Sequence, residues 1–318
     1  MVRTQPAFDL LQRSVIVTGT HYSMTTLVGR LLATAPEFHI LHEPTNPEPT
    51  LSYVSINPPN WYEFYTSERV AELADFLAKA IVGRGFPAEL MRRATTVRSP
   101  RQALQVVRYC QRTLPMMLKP QPAVLKDPFL IFSAAALQEM FGMQVVLTIR
   151  HPCAFVESFK RAGHGFDFAN LMQPDLLQAL PEEAETIAQL AQEPGALVTQ
   201  ASHLWRIIYL FAVKYLVDNT RTLVLRQDQM VENTAPTIDG LFEFCGASRT
   251  AAVEAFLSKN LSAGRQDFDQ GGSYIRRDGQ ATLNKWKNRL SPNEVSDIRR
   301  RTGEVAAQLG YDAESWRY

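Results

Sequence analysis

The fold is decided by residues 14–46, SVIVTGTHYSMTTLVGRLLATAPEFHILHEPTN. The stretch begins with three apolar β-branched residues, at 15–17, which are typical of a buried strand. A polar turn containing Gly19 follows. Residues 25–35 then place their apolar side chains on one face of a predicted helix that ends before Pro36. A strand, a tight loop and a helix in this order direct backbone N–H groups and a helix N-terminus at one anion. We therefore predict a phosphate-binding loop, with a plain strand–helix junction as the alternative.

The loop differs from the motif that binds nucleoside triphosphates. That motif is GxxxxGK followed by Ser or Thr, whereas the chain reads GTHYSMTT from residue 19. Met24 replaces the second Gly, Thr25 replaces the Lys, and Thr26 alone matches. ATP hydrolysis is not expected without that Lys and without an evident partner for Mg²⁺. The predicted phosphate-binding residues are Gly19, Thr20, His21, Tyr22, Ser23, Met24, Thr25 and Thr26.

Composition limits the class of protein. The chain has 318 residues, of which 46% are hydrophobic and 20% charged, which is enough apolar material for a sizeable core. We see no internal repeat and no linker, so we expect a single domain over residues 1–318, with residues 1–12 as a tail or lead-in. The net charge of +1 argues against a nucleic-acid or membrane-surface binder. Oligomeric state cannot be read from the sequence.

Cysteine usage and apolar segments indicate the compartment. Cys110, Cys153 and Cys245 are far apart and odd in number, so they form neither a disulfide framework nor a CxxC metal site. We also see no signal peptide and no transmembrane segment. The sequence therefore predicts a cytoplasmic protein.

Polar side chains follow each further predicted strand. His42 and Glu43 follow a strand at 37–41, Lys126 follows one at 122–125, and Arg150 follows the fully apolar run at 144–149, while a fifth strand is expected at 221–225. Ligands of open α/β sheets bind at the carboxyl ends of the strands, so these side chains should converge near the loop.

A second anion site is predicted on the helix after residue 149. Ser158 lies about two helical turns after Arg150. A planar guanidinium and a neutral hydroxyl can contact one phosphate together. The stretches at 47–118 and 163–196 are expected to supply acceptor-side helices and loops, the latter as a variable surface excursion. The basic run Arg92, Arg93, Arg98 and Arg101 is expected to be a solvated helix face.

Fragments that occur along the chain in the family's order resemble the PAPS-dependent sulfotransferases. VTGTHYSMTTL is similar to the family's 5′-phosphosulfate loop, and VVLTIRHPCAFVESF to its 3′-phosphate motif, an Arg with a Ser eight residues later. LVLRQDQMVENTAPTIDGLFEFCG is similar to the strand and helix after the core, and ATLNKWKNRLSPNEVSDI, with LGY, to the C-terminal stretch. LHEPTNP and LKDPF resemble the carbohydrate and tyrosylprotein branches. Nearly the whole chain is covered.

The resemblance implies a fold and a reaction. The fold is a three-layer, P-loop kinase-like α/β structure, a five-stranded parallel sheet with helices on both faces. The reaction moves a sulfuryl group from PAPS to a hydroxyl or amine of a small metabolite or glycan, leaves PAP, and requires no metal. Glu43 is the implied base, with His42 as the other choice. Lys126 is implied to supply positive charge, assisted by His21 if that residue is protonated; the alternative for Lys126 is an ion pair with a carboxylate at the strand end. Two further sets of residues are implied to bind the nucleotide, Arg150 and Ser158 at the 3′-phosphate, and Arg276 and Arg277 in a Gly-rich lid.

The loop departs from the family pattern at two positions. Tyr22 stands where the family has Arg or Lys, and Met24 stands where it has Gly. The first change removes a cation from the reacting centre, and the second restricts the backbone at its tightest point. Two other functions therefore stay open, a P-loop kinase of small molecules and a PAP- or PAPS-binding protein that has lost catalysis.

Overall fold

The computed structural model describes residues 5–48, 54–261 and 279–317, with only the backbone described at 261 and 279–281. Its centre is a five-stranded sheet in which every pairing is parallel, in the order β2-β3-β1-β4-β5. The strands are β1 Val15–Gly19, β2 His39–His42, β3 Ala123–Lys126, β4 Gln144–Ile149 and β5 Thr222–Arg226. The predicted parallel sheet is confirmed.

Fifteen α-helices occur in the described ranges, together with short 3-10 turns. Their bounds are α1 Gln5–Gln12, α2 Thr25–Leu32, α3 Val70–Ile81, α4 Phe86–Thr95, α5 Pro100–Leu118, α6 Ile131–Phe141, α7 Pro152–Ala162, α8 Pro174–Ala179, α9 Ala184–Gln192, α10 Leu197–Tyr215, α11 Gln227–Glu232, α12 Thr234–Cys245, α13 Ala251–Leu261, α14 Gly279–Asn284 and α15 Pro292–Gln308.

Helices cover both faces of the sheet because alternate strand residues point to opposite sides. Val15 and Val17 join a buried cluster with residues of α2, α12 and α13. Ile16, between them, joins a larger cluster with residues of α1, α3, α6, α7, α10 and α15. The three layers predicted from the resemblance are therefore present.

Two stretches are more ordered than the sequence indicates. Residues 5–12, expected as a lead-in, form helix α1, whose Ala7 and Leu11 are buried. Residues 163–196, expected as a surface excursion, contain α8 and α9, and their Phe168 and Ile187 are buried in the larger cluster. Short helices with few apolar positions show weak periodicity, so burial against the rest of the protein fixes them rather than local pattern.

Element boundaries differ from the predictions by a few residues. β2 begins at His39 rather than at residue 37, and β3 begins at Ala123 rather than at 122. A capping box begins α15, since the Ser291 side chain accepts from the backbone N–H of Glu294 and the Glu294 side chain accepts from that of Ser291. A capping box is a purely local motif, which is why sequence spacing identifies it.

The strand order opens a crevice at the carboxyl edge. The chain leaves β1 toward β2, on one side of the sheet, and leaves β4 toward β5, on the other, although β1 and β4 are neighbours. Loops that diverge in this way leave room for a ligand between them. The loop after β1 and the segment after β4 are the two stretches that carry the predicted phosphate-binding residues.

Candidate functional site

The backbone at the start of the loop after β1 lies very close to the backbone of β4. Gly19 has φ +147°, and a Cβ added there would lie 2.3 Å from the backbone oxygen of Thr148. The Thr148 hydroxyl donates to the backbone oxygen of Thr18 at 2.9 Å and lies 3.0 Å from the Ser23 hydroxyl oxygen. Only a glycine fits at position 19, and the Ser23 hydroxyl, predicted as a phosphate donor, is oriented toward the inside of the loop.

Two non-glycine residues of the loop adopt left-handed backbone conformations. Tyr22 and Met24 both have φ 64°. Gly would be favoured at position 24, because the left-handed conformation costs other residues about 1–2 kcal/mol. Met24 is also the N-cap of α2 and provides no side-chain cap, so the first N–H groups of α2 are left to a ligand or to solvent.

Arg150 connects the loop to the second predicted anion site. Its Nη1 donates to the backbone oxygen of Tyr22 at 3.1 Å and to the Ser158 hydroxyl oxygen at 2.9 Å. Both Arg150 and Ser158 are buried. The strand-end guanidinium and the helix hydroxyl, predicted to act on one phosphate, are therefore in direct contact.

Two further arginines contact Ser158 or its neighbour Glu157, and the sequence pattern did not single them out. Glu157, which is buried, accepts from Arg289 Nη1 at 2.7 Å and from Arg161 Nε at 3.3 Å. Arg161 Nη2 also lies 3.4 Å from the Ser158 oxygen. Burial favours a raised pKa for Glu157, but the hydrogen bond from Arg289 and the nearby guanidinium charges lower it. With Arg150, three guanidinium groups face one carboxylate, which leaves an excess of positive charge suited to an anion.

Helix α10 forms hydrogen bonds with the loop after β1 and with the end of β4. Trp205 Nε1 donates to the backbone oxygen of Arg150 at 3.0 Å. Four residues later, on the same helix face, the Tyr209 hydroxyl donates to the backbone oxygen of Thr148 at 2.8 Å, and it accepts from the Thr20 N–H at 3.3 Å. Both aromatic side chains are buried. They fix the backbone positions of the loop and the β4 exit relative to each other.

An ion pair joins the ends of β2 and β3. Lys126 Nζ contacts Glu43 Oε1, and the Asn46 side-chain amide donates to Glu43 Oε2 at 2.8 Å. His42 Nε2 lies 3.8 Å from Glu43 Oε1. Lys126 is only 3% exposed, so its charge acts in a poorly solvated position. The predicted base, the predicted cation and the alternative base are therefore assembled at one point.

The pKa values of this group differ from those in water. Burial alone favours a raised pKa for Glu43, but the Lys126 charge and the hydrogen bonds from Lys126 and Asn46 lower it below the ordinary value. Burial and the Lys126 charge lower the pKa of His42 to about 4. At neutral pH, Glu43 is ionised and His42 is neutral.

Asp127 holds the chain that follows Glu43. Its carboxylate accepts from the Thr45 N–H at 2.7 Å and from the Thr45 hydroxyl at 2.8 Å, and also from the Phe129 N–H at 2.9 Å. Asp127 is fully buried, and burial, reinforced by the Glu43 charge, raises its pKa to about 7. The sequence shows Asp127 only as part of LKDPF. Its partner Thr45 is remote in sequence.

His21 lies inside an aromatic cluster. Its Nδ1 is 2.8 Å from the Tyr62 hydroxyl, and its ring contacts Phe155 and Phe159. Burial lowers its pKa to about 4 although the Glu43 charge raises it, so His21 is neutral at neutral pH. The positive charge that protonated His21 would add is therefore available only in acid.

The same cluster includes both predicted acceptor-side stretches. Tyr62 comes from residues 47–118, and its ring centroid is 5.9 Å from that of Phe166, which comes from residues 163–196. Trp61 packs edge-on against Phe129, at 4.6 Å. The two variable stretches thus meet beside the ion pair. Arg276 and Arg277, predicted to form a lid, lie outside the described residues.

Neither a metal-binding cluster nor a membrane-spanning helix is found in the described ranges. No cluster there of three or more His, Cys, Asp or Glu side chains is arranged to hold a metal ion. No helix of the described chain combines the length and apolar character needed to cross a bilayer.

Comparisons with known proteins identify relatives of the chain. The profile of the Sulfotransferase family matches residues 14–251. Among solved structures, the sulfotransferase domain from the curacin biosynthetic pathway is 14% identical, with a TM-score of 0.50, and the match covers 94% of this chain and 98% of that one. The sulfotransferase domain of the Synechococcus PCC 7002 olefin synthase is 16% identical, with a TM-score of 0.49 and 94% of each chain covered.

Mouse sulfotransferase SULT7A1, whose structure is a complex with PAP, is 9% identical, with a TM-score of 0.43, and the match covers 97% of this chain and 93% of that one. None of the curated protein sequences compared with the chain matches it significantly. The family match extends from the strand before the phosphate-binding loop to the beginning of α13, and so includes every described site residue except Arg289. The chain belongs to the sulfotransferase family.

Proposed function

We propose that this protein transfers a sulfuryl group from PAPS to a hydroxyl, or an amine, of a small metabolite or glycan. The observation that carries the proposal is the position of Arg150, whose guanidinium touches both the loop at Tyr22 and the hydroxyl of Ser158. PAPS has two anionic groups, one at each end of its ribose. A site with two adjoining anion-binding segments is matched to such a donor, whereas ATP has none of its phosphates on the 3′ position.

The chain offers each end of the donor a separate set of groups. Residues 19–26 and the N-terminus of α2 would hold the 5′-phosphosulfate. Arg150 and Ser158 would bind the 3′-phosphate, with Arg161 beside them. Arg276 and Arg277 stay predicted to close over the nucleotide. The three cysteines, Cys110, Cys153 and Cys245, are free, which suits a reducing cytoplasm.

The proton of the acceptor would pass to Glu43. In the transfer, the sulfur–oxygen bond to the leaving phosphate breaks, a bond to the acceptor oxygen forms, and the acceptor loses its proton to the carboxylate. Glu43 is ionised at neutral pH and can accept this proton. Asp127, through Thr45, and Asn46, through its amide, fix the carboxylate at the end of β2.

The ion pair between Lys126 and Glu43 gives the site two states. In the pair, Lys126 lowers the pKa of Glu43 and so weakens it as a base. If Lys126 turns toward the negative sulfuryl oxygens, burial raises the pKa of Glu43 and strengthens it. One movement of Lys126 would thus place positive charge at the reacting group and activate the base together.

Tyr22 cannot replace the missing cation. Burial raises the pKa of its hydroxyl although the charge of Arg161 opposes this, so the phenol stays neutral and offers a single hydrogen bond. Lys126 is therefore the proposed source of charge at the transferred group.

The proposal is tested by offering radiolabelled PAPS to a panel of phenols, alcohols and sugars. We expect label in an organic product with the wild type and at least 10²-fold less with Glu43→Gln. Glu243→Gln, the same chemical change at an exposed position of α12, serves as a matched control and should leave transfer unchanged. Equal transfer by the wild type and the Glu43→Gln variant would refute the role of Glu43.

A second function is favoured by Tyr22 itself. Without a cation at that position, a protein can keep the nucleotide site and lose the transfer. Thermal stabilisation by PAP, with no turnover of PAPS across the acceptor panel, would support a binding protein. Stabilisation by ATP and Mg²⁺ in place of PAP would instead indicate a kinase.

A further inference from the structure

Exposed apolar side chains cluster on α5, away from the candidate site. Ten large hydrophobic side chains are exposed in the described chain, and six of these lie within residues 91–118. One is Met91, on α4. The other five form what we call the exposed apolar face of α5, which consists of Leu104, Val107, Leu114, Met117 and Leu118. Single exposed apolar residues are ordinary, but a contiguous group marks an interaction surface.

The face is broad. At 3.6 residues per turn its members span an arc of about 140°, which also contains Ala103 and Cys110 and has Gln111 as its one polar residue. The other side of α5 is anchored to the protein by the buried Tyr109, Thr113 and Met116. A two-stranded coiled coil uses a narrow seam of two positions per heptad. The arc of this face is wider than such a seam.

The surroundings of the face are strongly basic. Residues 90–126 contain eight Lys and Arg and no Asp or Glu. Three of the eight are paired with carboxylates, Arg92 and Arg93 with Glu89 and the buried Lys126 with Glu43. Four others form what we call the basic edge. Arg101, Arg108 and Arg112 lie along one edge of the face, within about 40° of one another on α5, and Lys119 directly follows the helix. The whole-chain charge of +1 conceals this asymmetry. A second copy of the same face would be repelled, whereas an anionic surface would be attracted.

The position of α5 relates the face to the candidate site. The end of α5 lies beside the beginning of the edge strand β2, because His39 Nε2 is 3.0 Å from the backbone oxygen of Lys119, the residue after α5. Glu43 directly follows β2.

We propose that α5 docks on an anionic membrane surface, with its exposed apolar face in the headgroup–acyl boundary and its basic edge on the lipid phosphates. The five apolar side chains are exposed along α5, beside the basic edge. Aliphatic burial combined with charge attraction is the pattern of interfacial helices.

The test measures binding of the full chain to sedimented vesicles at about 20 mM and about 300 mM salt, on either side of physiological ionic strength. One set is pure phosphatidylcholine, and the other also contains roughly one-third phosphatidylglycerol. We expect binding to the anionic set, with weaker binding at the higher salt concentration. Leu104→Asp with Leu118→Asp should reduce the partition coefficient at least tenfold, and Arg101→Gln with Arg108→Gln on the order of tenfold.

Matched control variants test whether vesicle binding depends on this face or on exposed apolar and basic residues in general. Met140→Asp with Met172→Asp changes two exposed apolar residues elsewhere, and Arg300→Gln with Arg317→Gln removes two exposed charges elsewhere. Both control variants should bind like the wild type, and circular dichroism should show that all four variants are folded. Three results would overturn the proposal: no binding to anionic vesicles at the lower salt concentration, equal losses in the control variants, or binding only to an acidic helical peptide.

Discussion

Replacing Lys126 by Met tests the central ion pair through stability as well as activity. The Lys126 stem packs on Gly29, where an added Cβ would lie 2.8 Å from Lys126 Cγ, and Met keeps most of this stem. The substitution thus removes the charge with little change in packing. What remains is the Glu43 carboxylate, largely buried, with the Asn46 hydrogen bond but without its ammonium partner.

The expected loss of stability depends on pH. Removing one partner of a buried ion pair costs about 3–5 kcal/mol, and the partial exposure of Glu43 places our expectation at about 3 kcal/mol near pH 7.5. In the wild type, the lowered pKa of Glu43 contributes stability above its unfolded pKa, and this is lost as pH falls. In Lys126→Met, burial alone raises the pKa of Glu43, so the variant instead loses stability as pH rises. The difference between the proteins should therefore shrink markedly near pH 4.

Urea unfolding near pH 7.5 and near pH 4 measures this difference, with Lys126→Met/Glu43→Gln as the matched control. The double variant has no buried unpaired charge, so most of the stability at the higher pH should return. Transfer by Lys126→Met should fall about 10²–10³-fold, while PAP affinity stays within a few fold. Tyr22→Arg in that background should restore part of the rate. The reasoning is refuted if Lys126→Met costs the same at both pH values, or if it transfers sulfate normally.

Three further predictions concern the phosphate site and the base. Arg150→Ala should weaken PAP about 10–150-fold but barely change the binding of adenosine 5′-phosphosulfate, which lacks the 3′-phosphate; equal losses in calorimetry would contradict the assignment. Met24→Gly should be about 1 kcal/mol more stable in urea than Met24→Ala, because both lose the side chain and only Gly relieves the left-handed conformation; equal stabilities would show no strain. Glu43→Gln should lower turnover about 10²–10⁴-fold with PAP binding retained. If Glu43→Gln keeps its turnover and His42→Ala loses it, His42 is the base and Glu43 is not.

Local pattern was enough to predict the sheet and much of the site. Apolar runs of roughly four to six residues mark the buried strands, and a glycine-containing turn before a helix marks the loop. The contact between Arg150 and Ser158 was also predictable, because the first turns of a helix that directly follows a strand lie close to the end of that strand. Arg161, one turn beyond Ser158, was within reach of the same argument.

Tertiary structure alone decided the contacts between remote segments. Tyr209 supports the loop from 189 residues away, and Arg289 reaches Glu157 across 132 residues. The periodicity of the sequence cannot reveal such pairs, because they form only when the layers of secondary structure pack on one another.

The same limit applies to the surface of α5. The sequence displays the absence of acidic residues between 90 and 126, and it displays an amphipathic helix. It does not say which apolar residues the core will cover. The packing of α5 against the rest of the protein buries Tyr109 and Met116 and leaves Val107 and Leu114 exposed. A helix in an outer layer can bury only one of its sides.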